Sequence, residues 1–293
     1  MGGCCSQPPQ PRQQRAGMAL RRVLVTGGNT GIGLALCKQL VAEDGCHVYL
    51  GSRNAEKGAA AVKSILAAAP EAEGKLELIQ VDTSSAASIA AAADAVKEML
   101  GPEPLYALVN NAGTGLAHGV TAEVIMKTNL DGPKAMCEAF IPLLDPKEGR
   151  IVNVGSGAGP GYVAQCSEDK KKVLISFDTT MEQIDALVGE ETAKPGFNAR
   201  TAYGLSKACL SAYTMVLAKT YPNLKSSCLS PGFIDTAIVK GFGAGKPPEE
   251  GTVSMRHCLF AELEGNGYYY GSDAVRSPLH YMRNPGEPAY KGE

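Results

Sequence analysis

A doubly wound α/β domain built on a parallel sheet is predicted by three observations in this chain of 293 residues. From Arg22 onward, short runs of aliphatic and β-branched residues alternate with longer helical patterns, the order that builds βαβ units. Ile151, Val152 and Val154 belong to a nearly unbroken apolar run, as expected of a strand covered on both faces. Glycine occurs 34 times, about 12% against a usual ~7%, which favours tight turns and close approach of backbone to a ligand.

The strands are expected at 23–26, 47–50, 76–81, 106–110, 150–154, 226–229 and 268–270. Between them the helical patterns cover 32–43, 55–69, 85–100 and 203–221. Residues 155–200 are too long for a simple connection. Within them Met181, Ile184, Leu187 and Val188 share one helical face, and Thr179 with Glu182 has the spacing of a capping box. The chain therefore divides into a flexible tail, residues 1–20, and one Rossmann-type domain, residues 21–293, with a helical insertion at about 157–200.

Composition excludes several classes. With 44% apolar and 20% charged residues the chain is globular, and a net charge of −2 argues against nucleic-acid binding. There is neither an apolar run long enough to span a bilayer nor a secretory signal. The nine cysteines form no CxxC pair, so neither zinc nor a disulfide framework is indicated, and reduced thiols in a cytoplasmic setting are expected. Charge is unevenly distributed. Residues 1–22 hold four arginines and no acid, so the remainder sums to −6.

The first strand–helix junction reads Thr26-Gly27-Gly28-Asn29-Thr30-Gly31-Ile32-Gly33. Glycines there admit backbone N–H groups to a pyrophosphate, which the helix N-terminus also favours. The second strand ends in Gly51-Ser52-Arg53, where a fold that prefers NAD carries an acid. An arginine fork matches a ribose 2′-phosphate, so the expected cofactor is NADP(H). Asp82 after the third strand and Asn110-Asn111-Ala112-Gly113 at the end of the fourth stand at carboxyl ends of strands, where such sheets bind ligands.

Tyr203 and Lys207, four apart in a helical pattern, share a face. An ammonium beside a phenol lowers the phenol pKa, and a reducing enzyme needs a proton donor for the carbonyl oxygen. Ser156, after the fifth strand, can hydrogen-bond that oxygen.

From Arg22 onward the chain resembles the short-chain dehydrogenase/reductase family in TGGNTGIG at 26–33, Asp82, NNAG at 110–113, Asn129 in KTNLDG, Ser156, YGLSK at 203–207 and PGFIDT at 231–236. The resemblance implies a Rossmann fold with Tyr203 as acid/base, Ser156 orienting the carbonyl, and Asn129 anchoring a water in a proton relay. Lys207 would hold the nicotinamide ribose and tune Tyr203. It further implies cofactor contacts from Gly27, Asn29, Thr30, Gly31, Ile32 and Gly33, from Arg53, from Asp82 and Thr83 at the adenine, and from Asn110, Ala112 and Gly113. Pro231 and Gly232 would also contact the cofactor, and Thr236 would meet its nicotinamide end. Thr30 stands where many NADP-using relatives carry a basic residue, so 2′-phosphate binding rests on Arg53. Gly155 replaces a common serine.

The long Ser156–Tyr203 spacing, with PPEEG at 247–251 and GYYYGSDAV at 267–275, resembles the carbonyl reductases within that family. Their inserted helices cover the face that other members use to oligomerise, which implies a monomer. The implied activity is NADPH-dependent reduction of a ketone, aldehyde or quinone. Two other readings are an NADP⁺-dependent secondary alcohol dehydrogenase and a non-catalytic NADP(H)-binding sensor or scaffold at a membrane. Residues 233–251 suit either a mobile lid over substrate or an ordinary surface loop, and the insertion is expected to line the pocket's other side.

Met1-Gly2-Gly3-Cys4-Cys5-Ser6 fits the myristoylation pattern at Gly2, with Cys4 and Cys5 placed for palmitoylation. Arg12, Arg15, Arg21 and Arg22 add attraction to anionic lipid. Peripheral contact with the cytoplasmic face of a membrane is expected if the chain starts at Met1, and not if it starts at Met18.

Overall fold

The computed structural model describes residues 20–292; Gly2, Cys4 and Cys5 lie outside the described residues. Among these, seven parallel strands form one sheet in the order β3-β2-β1-β4-β5-β6-β7. They are β1 (Arg22–Val25), β2 (His47–Ser52), β3 (Leu76–Gln80), β4 (Ala107–Asn110), β5 (Arg150–Val154), β6 (Lys225–Leu229) and β7 (Tyr268–Tyr270). All seven expected strands are present, with ends differing by at most two residues. The strand order reverses between β1 and β4, the switch point at which a ligand crevice opens beyond the carboxyl ends.

Alternation along β1 shows how the sheet is covered. Val23 and Val25 enter one core with Leu36, Leu40 and Leu50, while Leu24 enters the opposite core with Leu108, Phe140 and Leu210. Helices α1 (Gly31–Ala42), α2 (Ala55–Ala68) and α3 (Ala86–Leu100) follow the first three strands as expected. Between β4 and β5 lie α4 (Ala122–Met126), a π-helical turn at Lys127–Asp131 and α5 (Gly132–Phe140). Gly132-Pro133 interrupts the helical pattern in the sequence and hid this pair; in the fold Pro133 occupies the first turn of α5, where its missing N–H is harmless.

The insertion is helical, comprising α6 (Ala158–Val163), α7 (Glu168–Ile175) and α8 (Met181–Thr192). Leu174, Ile184 and Leu187 pack with Leu205, Cys209 and Ala212 of α9 (Ala199–Thr220). The capping box is one residue later than expected. Thr180 and Gln183 exchange the reciprocal bonds, whereas the Thr179 hydroxyl donates to the Val173 carbonyl at 2.6 Å. Helix α9 begins a turn before Tyr203, capped by Asn198, whose side chain accepts from Arg200 N at 3.0 Å and Thr201 N at 3.2 Å. Helix α10 (Val253–Phe260) closes the other face. Among the described residues, no helix is long and apolar enough to cross a membrane, seven cysteines are free thiols, and no cluster could hold a metal ion.

Candidate active site

The glycine loop leaves β1 through Thr26, a buried hub. Its Oγ1 donates to the Val109 carbonyl at 3.2 Å and accepts from Asn111 N and Ala112 N, each at 3.0 Å. Gly27 has φ +65° and Gly31 φ +54°, left-handed values that favour glycine. At Gly33 a methyl group would stand 2.3 Å from the Gly27 carbonyl oxygen and 2.4 Å from Asn111 Nδ2. Helix α1 therefore sits directly on the loop. Thr30 is exposed and extended before α1 and makes no side-chain cap bond, and Asn29 is partly exposed beside it. Across the cleft, Thr236 Cγ2 lies 3.2 Å from where a methyl on Gly31 would be. Ile32 packs on Gly251, which pins the far end of the 233–251 loop to α1. Asp235 N donates to the Lys246 carbonyl at 2.8 Å, so both ends of that loop are tied down.

Asp82 accepts from Ser84 N at 2.9 Å and Ser84 Oγ at 2.7 Å. Burial raises its pKa, but those bonds and the charges of Arg53 and Lys127 prevail and leave it below the ordinary carboxylate value. Arg53 is exposed, yet close enough to act on Asp82 across the ends of β2 and β3. The Thr83 carbonyl lies 2.9 Å from where a methyl on Gly132 would be.

The NNAG segment splits in two. The Asn110 side chain faces the sheet's interior like Leu108, donating to Asn153 Oδ1 at 2.9 Å and Cys137 Sγ at 3.4 Å. Strand alternation thus turns its amide away from the cleft. Asn111, just beyond the strand, reaches back instead to the Thr26 carbonyl at 2.9 Å and the Gly27 carbonyl at 3.3 Å. Thr26 and Asn111 went unassigned in the sequence, because side-chain bonds between two strand ends have no local spacing to betray them.

Three candidate residues, Asn129, Lys207 and Tyr203, converge around 113–115, and Ser156 acts on Tyr203. The Asn129 Oδ1 accepts from Thr114 N and its Nδ2 donates to Thr114 O, both at 2.9 Å, with Ser206 Oγ at 3.4 Å. Its side chain thus ties this turn to the segment at Thr114. The Lys207 Nζ donates to Val154 O at 2.8 Å and lies 3.8 Å from where a methyl on Gly113 would stand. Burial lowers its pKa to about 8. The Tyr203 ring lies 3.5 Å from where a methyl on Gly115 would stand. Burial raises the Tyr203 pKa and a hydrogen bond with Ser156 only partly offsets this. The direction is opposite to the lowering by Lys207 expected from the sequence: the lysine Nζ bonds to the end of β5, and burial prevails at the phenol. Ser156 Oγ accepts from Ala158 N at 3.2 Å.

A cavity of about 770 Å³ opens from Ser156 to Pro231 and Gly232, the latter at φ +92°. Of the insertion, Gly157, Ala158 and Pro160 line it; α7 and α8 pack behind α9. A wall that the sequence did not suggest comes from residues 271–285, including Met282 and Arg283.

Comparison with known proteins agrees with this arrangement. Residues 21–168 match the family model described as short chain dehydrogenase. The chain is 36% identical over 279 residues to (+)-neomenthol dehydrogenase of Arabidopsis thaliana, covering 83% of this chain and 93% of that protein. It is 32% identical over 265 residues to carbonyl reductase (NADPH) 1 of Homo sapiens, covering 83% and 92%. The solved structure of salutaridine reductase from Papaver somniferum superposes with a TM-score of 0.72 at 30% identity, covering 85% of this chain and 99% of that one. This chain is an oxidoreductase belonging to the short-chain dehydrogenase/reductase family.

Proposed function

We propose that the protein reduces the carbonyl of a small-molecule ketone, aldehyde or quinone with NADPH, Tyr203 donating the proton. The observation that carries this is the convergence of Tyr203, Lys207 and Asn129 on residues 113–115, with Ser156 acting on Tyr203 and lining the adjoining cavity. NADPH, when bound, supplies a hydride to the carbonyl carbon.

The residues present fit that cofactor. The loop that has no room for a Cβ at Gly33 brings backbone close to a pyrophosphate. Arg53 offers its exposed guanidinium to a 2′-phosphate, and Asp82 keeps its charge at the adenine end. Thr83 and Ala112 flank the same crevice.

Ser156 accepts from Ala158 N, and its O–H, engaged with Tyr203, is the donor that a substrate's carbonyl oxygen would take over. A phenol held above its ordinary pKa stays protonated at neutral pH and can act as the acid. Lys207, close to its own titration point, holds a proton at Nζ within the same buried cluster. Asn129 acts as a positioning residue, clamping Thr114 so that Gly113 and Gly115 stay against Lys207 and Tyr203. Replacing Tyr203→Phe should retain NADPH binding and lose nearly all turnover across a panel of aldehydes, ketones and quinones. Undiminished turnover would remove Tyr203 from the mechanism.

A monomer is the state proposed, since α7 and α8 cover α9. The proposed place of work is the cytoplasmic face of a membrane, supported by the sequence at Gly2, Cys4 and Cys5 and by the basic tail. Gly2→Ala should release the full-length protein from eukaryotic membranes; a wild type that is already wholly in the soluble fraction would end that proposal.

A further inference from the structure

The segment after β7 is tied to the pocket by an arginine with little exposure. Arg283 donates from Nε to Ser277 Oγ at 2.9 Å, from one terminal nitrogen to Asn284 O at 3.0 Å and to Glu287 O, and from the other to Asp273 Oδ1. The second Asp273 oxygen accepts from Gly286 N at 3.0 Å. A buried ion pair is worthwhile only when its remaining polar groups are also satisfied, and here the turn at 284–287 wraps around the guanidinium to do so.

This staple presents the neighbouring side chain to the cavity. Met282 is 61% exposed, yet its Sδ would be 2.9 Å from a methyl on Gly157, the residue after Ser156. It lines the same cavity as Ser156, Phe233 and Val253, and Phe233 is itself 51% exposed. A methionine so exposed contributes little to folding and gains burial only when something apolar covers it. Its unbranched thioether suits an irregular apolar shape.

We infer that Met282 is a specificity-determining residue that contacts the apolar body of a multi-ring ketone beside Ser156, and that Arg283 positions it through Asp273. This rests on the carbonyl-reductase reading and adds the class of substrate the site favours. A fused bicyclic ketone held at Ser156 has more apolar surface to lay against the Met282 side chain than a single ring has. Discrimination therefore comes from lost apolar contact with the larger substrate.

The test compares cyclohexanone with 2-decalone. Met282→Ala should raise KM for 2-decalone about tenfold relative to that for cyclohexanone, the low end of what one methylene of pocket contact is worth. Met282→Leu, similar in volume, should restore the wild-type ratio. Arg283→Lys keeps the charge but loses the fork; it should shift the ratio in the same direction, and the double variant should shift it no further than either alone. A merely structural role would lower the melting temperature of Arg283→Lys and leave the KM ratio alone, which would overturn the inference. Should the wild type reduce neither ketone nor any member of the panel of aldehydes, ketones and quinones, the carbonyl-reductase reading fails separately. Calorimetric binding of 2-decalone then decides the inference: weaker binding by Met282→Ala sustains it, and equal affinity overturns it.

Discussion

Gly33→Ala probes the contact on which the cofactor cleft is built. The added methyl would lie 2.3 Å from Gly27 O and 2.4 Å from Asn111 Nδ2, about 1 Å inside ordinary contact. Neither neighbour can yield without loss. Gly27 is held in a left-handed conformation, and the Asn111 amide donates to the Thr26 and Gly27 carbonyls. Overpacking costs about 1–3 kcal/mol, and two hydrogen bonds lost with the displaced amide add roughly 1 kcal/mol each. The expected destabilisation is therefore on the order of 3–5 kcal/mol, with loss of NADPH binding in any protein that stays folded. Gly74→Ala is the matched control. At φ +75° with nothing within 4 Å, it should cost only the left-handed strain of about 1–2 kcal/mol. Denaturant unfolding of the three proteins in parallel, with titration of NADPH fluorescence, measures both effects. If Gly33→Ala were no less stable than Gly74→Ala and bound NADPH normally, the loop could not be as tightly seated on α1 as described.

Lys207 should give the protein a distinctive alkaline pH profile. Its pKa falls from 10.5 to about 8 on burial, so the unfolded chain holds the extra proton between those values and stability rises with pH across that window. Below pH 8 the full penalty of about 3 kcal/mol applies. Lys207→Met should remove the rise, and parallel pH–stability curves for the two proteins would refute the assignment. Arg53→Ala should weaken NADPH binding far more than NADH binding, by roughly tenfold or more for the loss of a charge-assisted contact; equal losses measured by fluorescence titration would show that Arg53 does not read the 2′-phosphate.

Periodicity and glycine placement in the sequence sufficed for the parallel sheet, its seven strands, the glycine-rich turn between β1 and α1, and the shared helix face of Tyr203 and Lys207. Those features are local. An apolar run makes a strand, a helix brings residues four apart onto one face, and a strand end exposes the residues just beyond it. The tertiary structure alone decided how these pieces act on one another. Whether the Asn110 amide faced the cleft depended on strand alternation within the assembled sheet, and the Thr26–Asn111 linkage joins two strands 85 residues apart. The Tyr203 pKa moved up because burial, absent from any spacing rule, outweighs the Ser156 hydrogen bond. The Met282 wall exists because Arg283 meets Asp273 across a turn. Desolvation and contacts between distant segments arise only when the chain is packed, so they are decided by the fold and not by any short stretch of residues.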